Sequence, residues 1–183
     1  IFVVAMTEFN EFQQIKRRFF AMRNGIIADA LRRGGSPFKI IFGLNLPQIK
    51  DIAAELGVRP DLAKWLWENT STRESMMLAP MLIDPAVITD DDASLMVMQS
   101  PSTEIIDSLC HSLLRHSPLA YQWWMKWATA DTSLLRYAAM RLLWHHIAAH
   151  ATEIRPVAEA EMLKNDNLTA GIARQLVEEI DFL

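Results

Sequence analysis

Cysteine is almost absent from this 183-residue chain, where Cys110 stands alone. That excludes an internal disulfide and a cysteine zinc cage, and it fits a reducing cytoplasm as the expected location. Glycine is scarce as well, with six residues. None of them builds a Gly-rich phosphate loop or a Gly-x-Ser-x-Gly elbow, so nucleotide hydrolysis and serine acyl transfer lose their usual sequence basis. No apolar run approaches the about 20 residues that cross a bilayer, because Lys, Arg, Asp or Glu interrupts every candidate stretch. The chain therefore reads as soluble, with no membrane partner. The opening Ile1-Phe2-Val3-Val4-Ala5 is too short for a signal peptide and lacks its basic flank. Alternating Val/Ile/Thr segments are nearly missing, which argues against a sheet.

What is present is a chain that is 51% hydrophobic and 22% charged, enough to fold around a real core and to exclude disorder. Apolar residues recur at three- and four-residue intervals, which predicts an all-α protein. The spacing predicts helices over 7–23 and on to 33, with Phe9, Phe12, Phe19 and Phe20 as apolar surface, and Gly34-Gly35-Ser36-Pro37 as a stop. Further helices are expected over 47–56, 60–69, 71–83, 90–98, 102–116, 118–129, 132–150, 156–164 and 167–180. Ser71-Thr72-Arg73-Glu74 matches a capping box. Asp90-Asp91-Asp92 reads as acidic charge at a helix start, in preference to a metal site.

Internal similarity organises these helices. A slide of sixty places sets Trp67 on Trp127, Thr72 on Thr132, Ala79 on Ala139 and Leu82 on Leu142. A further slide of thirty-four sets Leu134 on Leu168, Ala139 on Ala173 and Leu142 on Leu176. A small residue followed by leucine at a fixed place in successive helices suits stacked helical pairs. The expectation is one domain over 1–183, with basic helices over 1–35 and an α-α superhelix of HEAT-like pairs over 38–183; a closed bundle is the alternative architecture.

The formal charge is −4, unevenly spread: residues 1–50 carry eight Lys/Arg against three Asp/Glu, and the remainder ten against nineteen. A basic strip including Lys16, Arg17 and Arg18 could hold phosphates even on a net-acidic protein. Within the helix 102–116, Asp107 lies about 110° from the centre of the apolar stripe, and Arg136 has a similar offset in 132–150. A structural ion pair and a shared functional surface both fit that geometry. His146 and His150, four apart, could share a metal, but Ile147 stands where a zinc protease needs glutamate; no metal is expected. Cys110 falls in an apolar stripe and reads as a buried inert thiol. Trp123 and Trp127, four apart, read as a packed pair.

Leu62-Ala63-Lys64-Trp65-Leu66-Trp67 and Thr72-Arg73-Glu74-Ser75-Met76-Met77-Leu78-Ala79 together resemble the "Leu-Trp, then Glu, then Leu-Ala" signature of the AlkD-like DNA alkylation repair family. Thr103-Glu104-Ile105-Ile106-Asp107 is similar to its Trp-Asp-x-Val-Asp segment, and Ser133-Leu134-Leu135-Arg136-Tyr137-Ala138 to its Trp-x-Arg-Arg-x-Ala segment. The resemblance covers roughly residues 38–150 and implies a HEAT-like protein that binds double-stranded DNA with alkylated bases, without a cofactor. It implies Asp107 as the catalytic carboxylate and Arg136 as a backbone contact, with Thr103, Tyr137, Trp124, Lys16, Arg17 and Arg18 as further DNA contacts. Thr103 replaces the family's aromatic residue, and Tyr137 its second arginine. The implied reaction is excision of positively charged N-alkylpurines, with the carboxylate stabilising an oxocarbenium-like sugar. A non-catalytic scaffold that binds DNA or a protein is the alternative.

Overall fold

The computed structural model describes the backbone of residues 2–183 and the side chains of residues 10–183. Phe9, expected to share the apolar surface of the first helix, lies outside the described side chains. The described residues are helical, with no strand; an isolated bridge joins Ile40 to Thr72. Among the described residues no helix is long and apolar enough to cross a membrane. The chain divides into two compact units, 1–84 and 85–183. Pro85 stands at that division, and its ring disfavours helical backbone at Asp84.

The first unit contains α1 (Phe2–Ala21), α2 (Gly25–Arg33), α3 (Leu46–Leu56), α4 (Pro60–Glu68) and α5 (Arg73–Leu78), the last continued by a 3₁₀ turn over Ala79–Leu82. Local chemistry sets several boundaries. Asn45 and Gln48 form a reciprocal capping box at the start of α3, and Gly57, with φ of 66°, ends that helix. Pro60 opens α4, where its missing N–H costs nothing.

The expected capping box at Ser71–Glu74 does not form. Thr72 occupies the N-cap position of α5 without a side-chain bond. The fully buried Glu74 carboxylate instead accepts from the backbone N–H groups of Phe42 (3.1 Å), Gly43 (2.9 Å) and Leu44 (3.3 Å), and from Arg73 Nη1 (3.0 Å). Three loop amides that would otherwise be buried unpaired outweigh one local cap. That loop in turn fixes the α1–α2 corner, because Asn24 donates its N–H to the Phe42 carbonyl (2.8 Å).

The second unit contains α6 (Asp90–Gln99), α7 (Thr103–Ser112), a 3₁₀ turn over Leu114–His116, α8 (Ala120–Trp127), α9 (Ser133–Trp144), α10 (Ile147–Leu163) and α11 (Ala170–Asp181). Thr89 caps α6 by accepting from the Asp92 N–H, and Asp90 pairs with Lys126 at 2.6 Å, so the acidic triplet is used for capping and surface pairing. α10 starts nine residues before Pro156, with a non-helical break at His150 (φ −134°, ψ 24°). The carbonyl that Pro156 leaves without a helical donor belongs to exposed Thr152, where water can satisfy it.

The internal similarity has a structural counterpart. Thr72 and Thr132 both stand at N-cap positions. Ala79, Leu82, Ala139, Leu142, Ala173 and Leu176 are all fully buried. Helix α9 is central to its unit, packed by α6, α7, α8, α10 and α11, and residues 136–140 are buried without interruption. Its surroundings therefore include polar partners on the side where a two-sided helix would meet water.

Candidate nucleic-acid interface

Helices α7 and α9 run parallel: Asp107 meets Arg141, and His111 meets His145 one turn further along both. Asp107 Oδ1 accepts from Arg141 Nε (2.7 Å) and from the Tyr137 hydroxyl (3.0 Å), while Oδ2 accepts from Arg141 Nη2 (2.9 Å). This is a fork-on-carboxylate pair, the geometry that guanidinium matches best. The Asp107 side chain is 36% exposed and that of Arg141 24%. Burial disfavours the Arg141 charge, but the hydrogen bonds and charge of Asp107 outweigh it and raise the pKa further. Burial, followed by the Asp107 charge, raises that of Tyr137. Arg141 is thus held as a cation and Tyr137 as a neutral phenol at any pH near neutrality.

Next along the same ridge, Arg115 Nη1 lies 3.3 Å from His145 Nδ1, and its Nε donates to His116 Nε2 at 3.1 Å. Burial, then the charges of Arg115, His111, Arg141 and His146, lower the His145 pKa to about 4. A neutral imidazole must accept at Nδ1 from a guanidinium that can only donate, so its proton sits on Nε2. The ridge therefore alternates Asp107, Arg141, neutral His145 and Arg115.

Arg136, expected beside Asp107, is elsewhere. Its Nε donates to Glu161 (2.9 Å), Nη1 to the carbonyls of Ala130 (2.9 Å) and Asp131 (2.7 Å), and Nη2 to Asp166 (2.5 Å) and Ser133 (3.3 Å). All five donors are used, and the residue is 8% exposed. Burial works against the Glu161 charge, but hydrogen bonds from Lys164, Thr169 and Arg136 hold its pKa below the ordinary value. Hydrogen bonds from Ser133 and the Leu168 amide lead in lowering that of Asp166. Arg136 therefore fastens the 130–131 turn to α10 and to the connection that follows it, and all its donors are engaged within the protein.

The remaining expected residues are dispersed. Thr103, half-buried, opens α7 one turn before Asp107. Trp124 is buried, with Tyr121 edge-on to it at 5.1 Å, and lines a groove of about 580 Å³ with Met125, Pro156, Val157 and Lys164. Trp123 and Trp127 stack in the core with 2° between their planes. In the first unit, Arg18 pairs with Glu55 (2.9 Å), Lys16 lies over the Phe12 ring, and Arg17 is exposed. Cys110 is fully buried, and burial pushes its pKa far up. Among the described residues no three His, Cys, Asp or Glu side chains converge as metal ligands.

Arg141, His145 and Arg115 were not singled out by helical-wheel geometry, which says which side of a helix a residue occupies but not which helix it faces. The thirty-four-residue slide carries the missing information, because it sets Thr103 on Tyr137, Asp107 on Arg141 and His111 on His145.

No curated protein matches this chain. A solved structure from "a new family of proteins related to the HEAT-like repeat DNA glycosylases with affinity for branched DNA structures" superposes with a TM-score of 0.77 at 17% identity, covering 90% of this chain and 73% of that one. The architecture is accordingly the HEAT-like helical-repeat fold. Residues 15–183 match the family described as DNA alkylation repair enzyme. With Asp107 on α7 of a helical-repeat stack and the match spanning both compact units, the chain belongs to the DNA alkylation repair enzyme family.

Proposed function

We propose that this chain is a DNA-binding repair protein that holds duplex DNA by its phosphates, with Arg141 as a contact residue and Asp107 as the carboxylate that positions it, and that it does not excise bases. The observation that carries the reading is the two-point Asp107–Arg141 pair. It commits Nε and Nη2 and leaves Nη1 without a partner among the described residues, on a partly exposed guanidinium. A fixed arginine with one free edge is suited to a phosphate oxygen. A carboxylate that already accepts three hydrogen bonds, two of them from a cation, has much of its charge compensated and stabilises a developing sugar cation poorly. Thr103 offers no ring on which a distorted base could rest. Lys16 and Arg17 are the further phosphate contacts in this reading, since Arg18 is engaged by Glu55. The affinity of the structurally similar protein for branched DNA supports DNA as the ligand.

The test is a fluorescence-anisotropy titration of labelled duplex at low and moderate salt. Binding that weakens with salt, and about tenfold weaker binding by Arg141→Gln, are expected. No affinity at low salt would redirect the search to a protein partner and end the DNA reading.

A second reading keeps Asp107 catalytic, and its exposure favours it: a carboxylate 36% open to solvent can be approached by a sugar. Release of alkylated purine from methylated duplex above the spontaneous rate, abolished by Asp107→Asn, would establish this reading in place of the first.

A further inference from the structure

The turn from α1 to α2 lies within a basic stretch of the chain. Between residues 16 and 40 the chain carries seven Lys/Arg and one acid, Asp29, which Arg32 already pairs at 2.9 Å. At the turn from α1 to α2, two large apolar side chains face solvent: Phe20 is 56% exposed and Ile26 82%. They flank a segment that is held firmly. Asn24 caps α2 by accepting from the Ile26 (3.0 Å) and Ile27 (3.2 Å) N–H groups, and Arg23 Nη1 donates to the Phe20 carbonyl at 2.8 Å. Phe19, next to Phe20, is fully buried against Phe42. Gly43, at φ 82°, approaches so closely that a Cβ there would overlap the Asn24 carbonyl oxygen. The Arg23 guanidinium lies 3.9 Å from the centroid of the Phe20 ring, over one face.

Apolar side chains exposed singly are ordinary. Two on one pinned corner, one roofed by arginine and both within a stretch of net charge +6, make a surface of defined chemistry. Phosphates match the charge, and base faces match the ring and the isoleucine. Continuous duplex hides its base faces in the stack; a branch point exposes them. Accepting the DNA-binding reading above, we infer that the α1–α2 corner is the part of this protein that selects DNA at an interruption of base stacking, with Phe20 and Ile26 against the unstacked base faces and Arg17 and Arg23 on the flanking phosphates. Apolar wedges beside cationic side chains are a general means of holding unstacked steps.

The test compares the full chain with its Phe20→Ala/Ile26→Ala double variant, titrated against a four-way junction and a linear duplex of the same base composition. Both side chains are exposed, so an unchanged melting temperature is expected. The intact chain should prefer the junction, and the double variant should lose about tenfold in junction affinity while duplex affinity changes by less than about twofold. A Phe20→Tyr/Ile26→Leu variant, which keeps ring and bulk, should retain the preference. Undiminished discrimination by the alanine variant overturns this inference alone, leaving duplex binding through Arg141 in place. Absence of DNA affinity in the intact chain overturns both. Sedimentation with phosphatidylserine vesicles that depends on Phe20 and Ile26, with junction binding unaffected by their removal, would reassign the corner to a membrane surface.

Discussion

Arg136 and Arg141 stand five places apart on one helix in opposite circumstances. Arg136 neutralises Glu161, which is 1% exposed, so Arg136→Gln leaves a buried charge partly unpaired and should cost about 3 kcal/mol in urea denaturation. The Asp107–Arg141 pair is partly solvated, and Arg141→Gln should cost less than about 1 kcal/mol while weakening DNA binding. The two substitutions thus separate a fastening arginine from a contacting one. Protonation gives a further handle on the same neighbourhood. Glu161 and Asp166 titrate below their ordinary values of 4.5 and 3.8, so as pH falls the unfolded chain takes up these protons first, and stability present above those values is lost as pH drops through them. His145 acts in the same direction at higher pH. Its ordinary value is 6.5 and its folded value about 4, so in that interval the unfolded state binds the extra proton. The melting temperature should decline from about pH 6.5 and again below about pH 4.5; His145→Gln should shrink the first decline and leave the second.

Among elements, the α1–α2 corner and the start of α5 form one mechanical piece, joined through the loop 42–44. Gly43→Ala would meet both a left-handed backbone and the Asn24 carbonyl, and Glu74→Gln would turn an amide toward loop donors; each should lower stability by about 2 kcal/mol or more. Since both act on the same loop, their effects should add to less than the sum, which a double-mutant cycle measures. The ends of these helices were largely legible from residues whose effect is local: Pro47 and Gly57 bound α3, and Pro60 opens α4. What was not legible depended on distant partners. Nothing within Ser71–Glu74 reveals that the Glu74 carboxylate is taken by amides thirty residues earlier, so the capping box was a reasonable expectation that a long-range network displaced. The candidate site divides in the same way: the place of Asp107 at the border of its apolar stripe can be read from its own helix, whereas its pairing with Arg141 requires knowing that α7 and α9 lie side by side in register.

For the whole molecule, the net charge of −4 hides an N-terminal fifty residues at +5 against a remainder at −9. Binding to DNA should therefore depend on a few placed cations and not on general attraction. If Lys16 and Arg17 each hold a phosphate, replacing both by glutamine should reduce the slope of log affinity against log salt by about 2, as read from titrations at several salt concentrations. The repeat architecture adds a mechanical side to the same picture. The bond between positions 107 and 141 ties one helical pair to the next, and a stack of this kind flexes at the joints between its units, each as stiff as whatever crosses it. A ligand that pulls the guanidinium outward would slacken that fastening, so occupancy and flexural give in the C-terminal half are governed by the same two side chains.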